Sequence, residues 1–99
     1  MDILSKYSNE LKAFCESNKI KKLSLFGSYL KNTNDENSDI DLLVEFEEDS
    51  GYGLLDIARI ERELSGIIGK KVDLRTTSEL SKYFRDTVVK EAEVKYEAG

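Results

Sequence analysis

The sequence predicts an α+β domain with the alternating order of an α/β fold: a mixed sheet with helices packed on it. Three observations predict it. Helical and strand periodicities alternate along the chain in the order helix, strand, short helix, strand, helix, strand, helix, which places helices against a sheet. The 99 residues suffice for one hydrophobic core, so residues 1–99 are expected to form a single domain. With 39% hydrophobic and 35% charged residues, the composition is that of a globular chain rather than a disordered or membrane-embedded one.

Each element has its own signal. Residues 2–18 place Ile3, Leu4, Tyr7, Leu11 and Phe14 at helical spacings, with Asp2 suited to the N-cap. Ile20-Lys21-Lys22-Leu23-Ser24-Leu25-Phe26 reads as a strand entering a turn at Gly27, and a short helix follows over residues 28–31. Residues 32–38 are polar and turn-rich, hence a loop. The next strand begins at Asp39. It carries Ile40, Leu42, Val44 and Phe46 on one face and Asp39, Asp41, Leu43 and Glu45 on the other.

Residues 47–53 form an acidic, glycine-bearing loop. Leu54, Leu55, Ile57, Ala58, Ile60, Leu64, Ile67 and Ile68 outline an amphipathic helix that Gly69 terminates. Lys71-Val72-Asp73-Leu74-Arg75 reads as a third strand. Ser78 suits the cap of a last helix, with Phe84, Val88, Val89, Ala92 and Tyr96 on its apolar face. That stripe serves equally as a cover for the sheet or as a partner surface.

Composition also excludes chemistry. The chain has no histidine, which removes Ser-His-Asp and Cys-His catalysis and argues against zinc. What remains is carboxylates, hydroxyls, lysines, tyrosines or a metal held by oxygen. A net charge of −5 argues against direct nucleic-acid binding, which needs a basic surface, and favours a cation or a basic partner. The lone Cys15 cannot close an internal disulfide and reads as a small apolar helix residue. Met1-Asp2-Ile3-Leu4-Ser5 lacks the basic head and apolar core of a signal peptide, and no run of about 18 apolar residues is present. No membrane association and a cytoplasmic location are expected.

Two features carry chemistry. Aspartate is disfavoured inside strands, yet Asp39 and Asp41 alternate ahead of Leu42-Leu43-Val44. Residues i and i+2 of a strand lie roughly 6.6 Å apart and point the same way, so the two carboxylates can converge on a cation. Two carboxylates about 5 Å apart repel by about 3 kcal/mol at an effective dielectric near 20. Magnesium, which takes carboxylates together with phosphate oxygens, would turn that cost into attraction. Taken alone, the pair reads equally as a loop-closing residue and an exposed strand residue.

The second feature is Gly27-Ser28. Glycine after an apolar strand lets a phosphate approach the backbone, and a helix start with a serine hydroxyl supplies donors. Taken alone, this is also an ordinary strand-to-helix turn. The two features stand ten residues apart, from Tyr29 to Ser38, and both occupy the strand ends that a metal–phosphate site requires.

Leu25-Phe26-Gly27-Ser28-Tyr29 followed by Ser38-Asp39-Ile40-Asp41-Leu42-Leu43-Val44 closely resembles the minimal nucleotidyltransferases of the polymerase-beta superfamily. Many of these are antitoxins paired with a helical HEPN toxin. The resemblance covers most of the chain, from about Ile20 to Tyr96. It implies the polymerase-beta-type nucleotidyltransferase fold, with Asp39 and Asp41 holding Mg2+ and Gly27 and Ser28 holding the triphosphate of ATP. It further implies that Asp73 is the third metal-binding and catalytic carboxylate, suited to taking the acceptor's proton. Family members often carry arginine and glycine where this chain has Lys31 and Asn32, and lysine keeps the charge without the two-pronged fork.

The implied function is transfer of AMP from Mg-ATP to a hydroxyl of a cognate HEPN toxin, a tyrosine, which neutralises the toxin. Two alternatives stay open: neutralisation by binding alone, and transfer to a small molecule such as an aminoglycoside. The small size suits a chain that works with a partner, as a homo- or hetero-oligomer. Lys21-Lys22, Lys70-Lys71 and the Glu45-Glu47-Glu48-Asp49 group read as solvated charge, and Tyr29 and Tyr52 as packing residues.

Overall fold

Strand β1 (Ile20–Phe26) is the organising element, because Ile20, Leu23, Ser24 and Leu25 are buried and the strand pairs on both sides. It lies antiparallel to β2 (Ile40–Phe46), with Phe26 opposite Asp41 and Leu23 opposite Val44. Strand β3 (Val72–Thr76) lies parallel to β2, and β4 (Glu93–Glu97) antiparallel to β1, in the order β3-β2-β1-β4. The sheet is therefore mixed, as expected, with an order and strand directions that the sequence left open. The computed structural model describes residues 4–83 and 85–98.

One face of the sheet carries the core. Leu23, Leu25, Ile40, Leu42, Val44, Val72 and Leu74 alternate inward and are nearly fully buried. Helix α1 (Ser8–Ser17) adds Leu11 and Cys15. Helix α3 (Leu54–Ile68) adds Ile60, Leu64 and Ile68, each four residues from the next and so on one stripe. Each such side chain contributes about 1.5–3 kcal/mol by leaving water. Gly69 ends α3 at φ +79°, as expected from its position. A one-turn helix α2 (Ser28–Lys31) links β1 to the polar loop, and α4 (Arg85–Glu91) precedes β4.

Helix α3 also covers the free edge of β3. The Ser65 hydroxyl accepts from the Val72 N–H at 2.9 Å, and the Glu61 carboxylate accepts from the Leu74 N–H at 2.7 Å. An edge strand left bare is a template for pairing with other chains. Here the outward N–H groups are occupied from within the molecule.

Four expectations need correction. Residues 93–97 form a strand, not the end of a helix, so Tyr96 packs against the core from the sheet. Glu-Val-Lys-Tyr-Glu alternates with period two, and β1 offers an otherwise unpaired edge to it. Ser78 caps no long helix. It lies within a 3-10 turn (Thr77–Glu79), where Thr76 and Glu79 bond each other at 3.0 Å. Leu54 and Leu55 begin α3 but are 79% and 88% exposed, and Ala58 is exposed too, because they lie off the buried stripe. The first helix is shorter than expected: a 3-10 turn (Ser5–Tyr7) precedes α1. Asp2, Ile3 and Phe84 lie outside the described residues. Among the described residues, no helix is long and apolar enough to cross a membrane.

Candidate active site

Strand register assembles one row of side chains across three strands. Because β1 and β2 are antiparallel, Phe26 opposes Asp41; because β2 and β3 are parallel, Asp41 opposes Asp73. Residues paired in this way share a face, and this face is opposite to the core. Arg75, two residues beyond Asp73, joins them. Phe26, Asp41, Asp73 and Arg75, with Glu79, Leu80 and Ser81 from the returning chain, line a cleft of about 270 Å³.

The turn after β1 closes one side. Gly27 adopts φ +77° and ψ −151°, a region essentially restricted to glycine. A β-carbon built there would overlap a carboxylate oxygen of Asp41 and lie 2.9 Å from its carboxyl carbon. The backbone thus passes in contact with Asp41 and delivers Ser28 to the start of α2. One helical turn aligns few peptide dipoles, so any pull on an anion comes from the free N–H groups of that turn and the Ser28 hydroxyl.

Asp41 is under electrostatic tension. Burial pushes the Asp41 carboxyl above its ordinary range, and the charges of Asp73 and Asp39 push it further, while Arg75 opposes them. Asp73 is gripped by Arg75, with Nε at 3.0 Å from Oδ1 and Nη2 at 3.4 Å from Oδ2. Asp39, on the approach to β2, has Oδ2 3.8 Å from the Lys71 ammonium. Among the described residues, no three acidic, cysteine or histidine side chains are gathered closely enough to hold a metal as they stand. The chemistry of the donors nevertheless fits magnesium: all are hard oxygens, and the pressed, half-buried Asp41 would gain from a cation.

Of the residues singled out in sequence, Gly27, Ser28, Asp41 and Asp73 are brought together at one end of the sheet, with Asp39 at the margin. Arg75, Glu79, Leu80 and Ser81 were not foreseen. Arg75 had a signal, since it follows Asp73 by two in a strand and must share its face. Leu80 and Ser81 had none, because only the path of the chain after β3 brings them back.

Other candidates go elsewhere. Lys21, Glu47, Glu48 and Asp49 border an open hollow at the opposite end of the β1–β2 pair. Tyr52 packs edge-on against Phe46, with ring centres 5.3 Å apart, and Tyr29 packs on the core. Cys15 is buried, with its thiol pushed up to about 12 by burial and by Glu16, so it is no nucleophile.

Comparison with known proteins decides the family. The nucleotidyltransferase domain family matches residues 8–95. The chain belongs to this family. A candidate protein adenylyltransferase of Methanocaldococcus jannaschii is 44% identical over 73 residues, covering 74% of this chain and 76% of that protein. The protein adenylyltransferase MntA of Thermococcus cleftensis is 35% identical over 89 residues, covering 90% of this chain and 85% of that protein. A solved structure of a candidate minimal nucleotidyltransferase superimposes with a TM-score of 0.76 at 35% identity, covering 93% of this chain and 94% of that one. A toxin–antitoxin crystal structure with AMP-PNP shares the fold, with a TM-score of 0.74 at 24% identity, covering 92% of this chain and 73% of that one.

In this minimal nucleotidyltransferase of the polymerase-beta superfamily, Asn32 occupies a position that the backbone itself constrains. Asn32 sits at φ +58°, ψ +32°, and closes α2, with the Thr33 N–H donating to the Ser28 carbonyl at 2.9 Å. A left-handed backbone position of this kind favours glycine, and asparagine is the side chain that tolerates it best.

Proposed function

We propose that this enzyme transfers AMP from Mg-ATP to a hydroxyl of a partner protein, a tyrosine of a HEPN-type toxin, and thereby silences it. The carrying observation is the contact between the Gly27 turn and Asp41, with Asp73 beside Asp41 in register. A glycine turn suited to a phosphate and a pair of carboxylates are thus neighbours, which supports the reading. The relatives of Methanocaldococcus jannaschii and Thermococcus cleftensis are named as protein adenylyltransferases, which supports a protein acceptor. The toxin–antitoxin neighbour crystallised with AMP-PNP supports ATP and a toxin.

In this reading Gly27 and Ser28 hold the triphosphate, while Asp39, Asp41 and Asp73 hold magnesium. The metal supplies charge neutralisation between the phosphates and the carboxylates. Asp73 accepts the proton of the tyrosine hydroxyl. The phenolic oxygen bonds to the α-phosphorus, the bond from that phosphorus to the bridging oxygen breaks, and pyrophosphate leaves with the electron pair. The cleft is partly open to solvent, which suits an acceptor carried by another protein. The 99 residues act as one domain, in the cytoplasm, where ATP and magnesium are supplied together.

Incubation with the toxin, magnesium and ATP, followed by intact-mass spectrometry, tests the reading. AMP-sized mass gains on the toxin are expected, and they disappear with Asp39→Asn or Asp41→Asn. An unmodified toxin that is nonetheless neutralised equally well by the double variant would instead establish inhibition by binding alone.

A further inference from the structure

The solvent-side face of β3 carries Asp73 and Arg75, with Lys71 just ahead of the strand beside Asp39. Arg75 holds Asp73 side-on, engaging both carboxylate oxygens at 3.0 and 3.4 Å. Asp41, its register neighbour, has no ion pair among the described residues. The guanidinium remains half-exposed at the lip of the cleft it helps to line. A fork on both oxygens takes two of the carboxylate's roughly four lone-pair sites and sets a cation beside it, and an incoming metal must contend with both. Removed from Asp73, the same planar group presents five donors matched to a phosphate.

We propose that Arg75 is a positioning residue that competes with the divalent cation for Asp73 and is handed over to a triphosphate oxygen when the cleft fills. Bare metal then binds weakly, because it must break the Arg75–Asp73 pair. Metal with nucleotide binds well, because the displaced guanidinium gains a new anionic partner. The enzyme is thereby kept from loading metal without its nucleotide. This rests on the reading of Asp73 as a metal-binding carboxylate together with Asp39 and Asp41.

The test is titration of bare Mn2+ by electron paramagnetic resonance, on wild type, Arg75→Gln, Arg75→Lys and Asp41→Asn. Arg75→Gln is expected to bind bare Mn2+ on the order of tenfold more tightly, from loss of the competing pair and of repulsion between cations. Arg75→Lys falls between, keeping the charge but not the fork. The same Arg75→Gln change should weaken retention of Mg-ATP, an opposite sign that simple structural damage would not produce. In wild type, the Arg75 Nε–H resonance should move during a magnesium titration with the midpoint of metal binding. Unchanged Mn2+ affinity in Arg75→Gln, with binding still lost in Asp41→Asn, overturns the competition and leaves the metal site intact. No Mn2+ bound by wild type, with or without ATP, overturns the metal-site reading itself.

Discussion

Gly27 lies against the carboxylate of Asp41 so closely that one added methyl group would overlap it. Two segments separated by a polar loop are thus spaced by the absence of a side chain. Gly27→Ala should destabilise the fold by about 1–3 kcal/mol, because φ +77° with ψ −151° is strained for alanine even before the collision. Urea denaturation measures that cost. Wild type should gain about 2.7 kcal/mol from Mg-ATP at 100 times its dissociation constant, and the variant should gain nothing. An alanine variant as stable and as responsive as wild type would show that the close approach is not required.

Asp41 makes stability depend on pH in a definite direction. Burial, then Asp73 and Asp39, raise its folded-state pKa above the unfolded value of about 3.9. A group raised on folding contributes stability below the unfolded pKa, and the contribution is lost as pH rises through the folded one. At neutral pH the metal-free protein therefore carries the cost of a charged Asp41. Asp41→Asn should be more stable than wild type by about 0.5–2 kcal/mol in EDTA at neutral pH, the range typical when a tense functional group is removed. The advantage should shrink as the solution is acidified below the raised pKa. Magnesium-ATP should reverse the order. Urea melts of both proteins across the pH range decide it.

The covered edge of β3 gives a prediction away from the chemistry. Ser65→Ala removes the acceptor of the Val72 N–H, and Glu61→Ala that of the Leu74 N–H. Each should cost about 1–3 kcal/mol through an unsatisfied amide. The matching amide should exchange its hydrogen faster in each variant. Unchanged exchange would mean that water replaces the side chain without loss.

Helix α3 separates apolar residues that are structural from those that are not. Ile60→Ala should cost about 2–5 kcal/mol, since Ile60 is fully buried. Leu54→Ser and Leu55→Ser should each stay within about 0.5 kcal/mol, since both side chains are mostly exposed. Thermal melts of the isolated protein suffice. A large loss from either leucine would place it in the core after all.

Legibility followed the range of the interactions. Strands β1 and β2, the one-turn helix after Gly27, helix α3 and its Gly69 stop were readable, because period, glycine and capping are local signals. Residues 93–97 were misread: five residues of alternation lie directly behind a helical pattern, and only the free edge of β1, some seventy residues earlier in the chain, makes them a strand. Leu54 and Leu55 were misread for the converse reason. Their spacing suits a helix, but which face meets the sheet is set by Ile60, Leu64 and Ile68 together.

For the site, the sequence alone supplied a glycine-serine turn and two alternating aspartates at strand ends, and the family resemblance added a third aspartate on a later strand. The lack of histidine further left oxygen as the expected ligand for any metal bound here. Only the tertiary structure decided that Asp41 meets the Gly27 backbone, that Asp73 stands in register beside Asp41, and that Arg75 holds Asp73. Pairing register is a property of two strands at once, and the tension on a carboxylate is a property of everything that surrounds it.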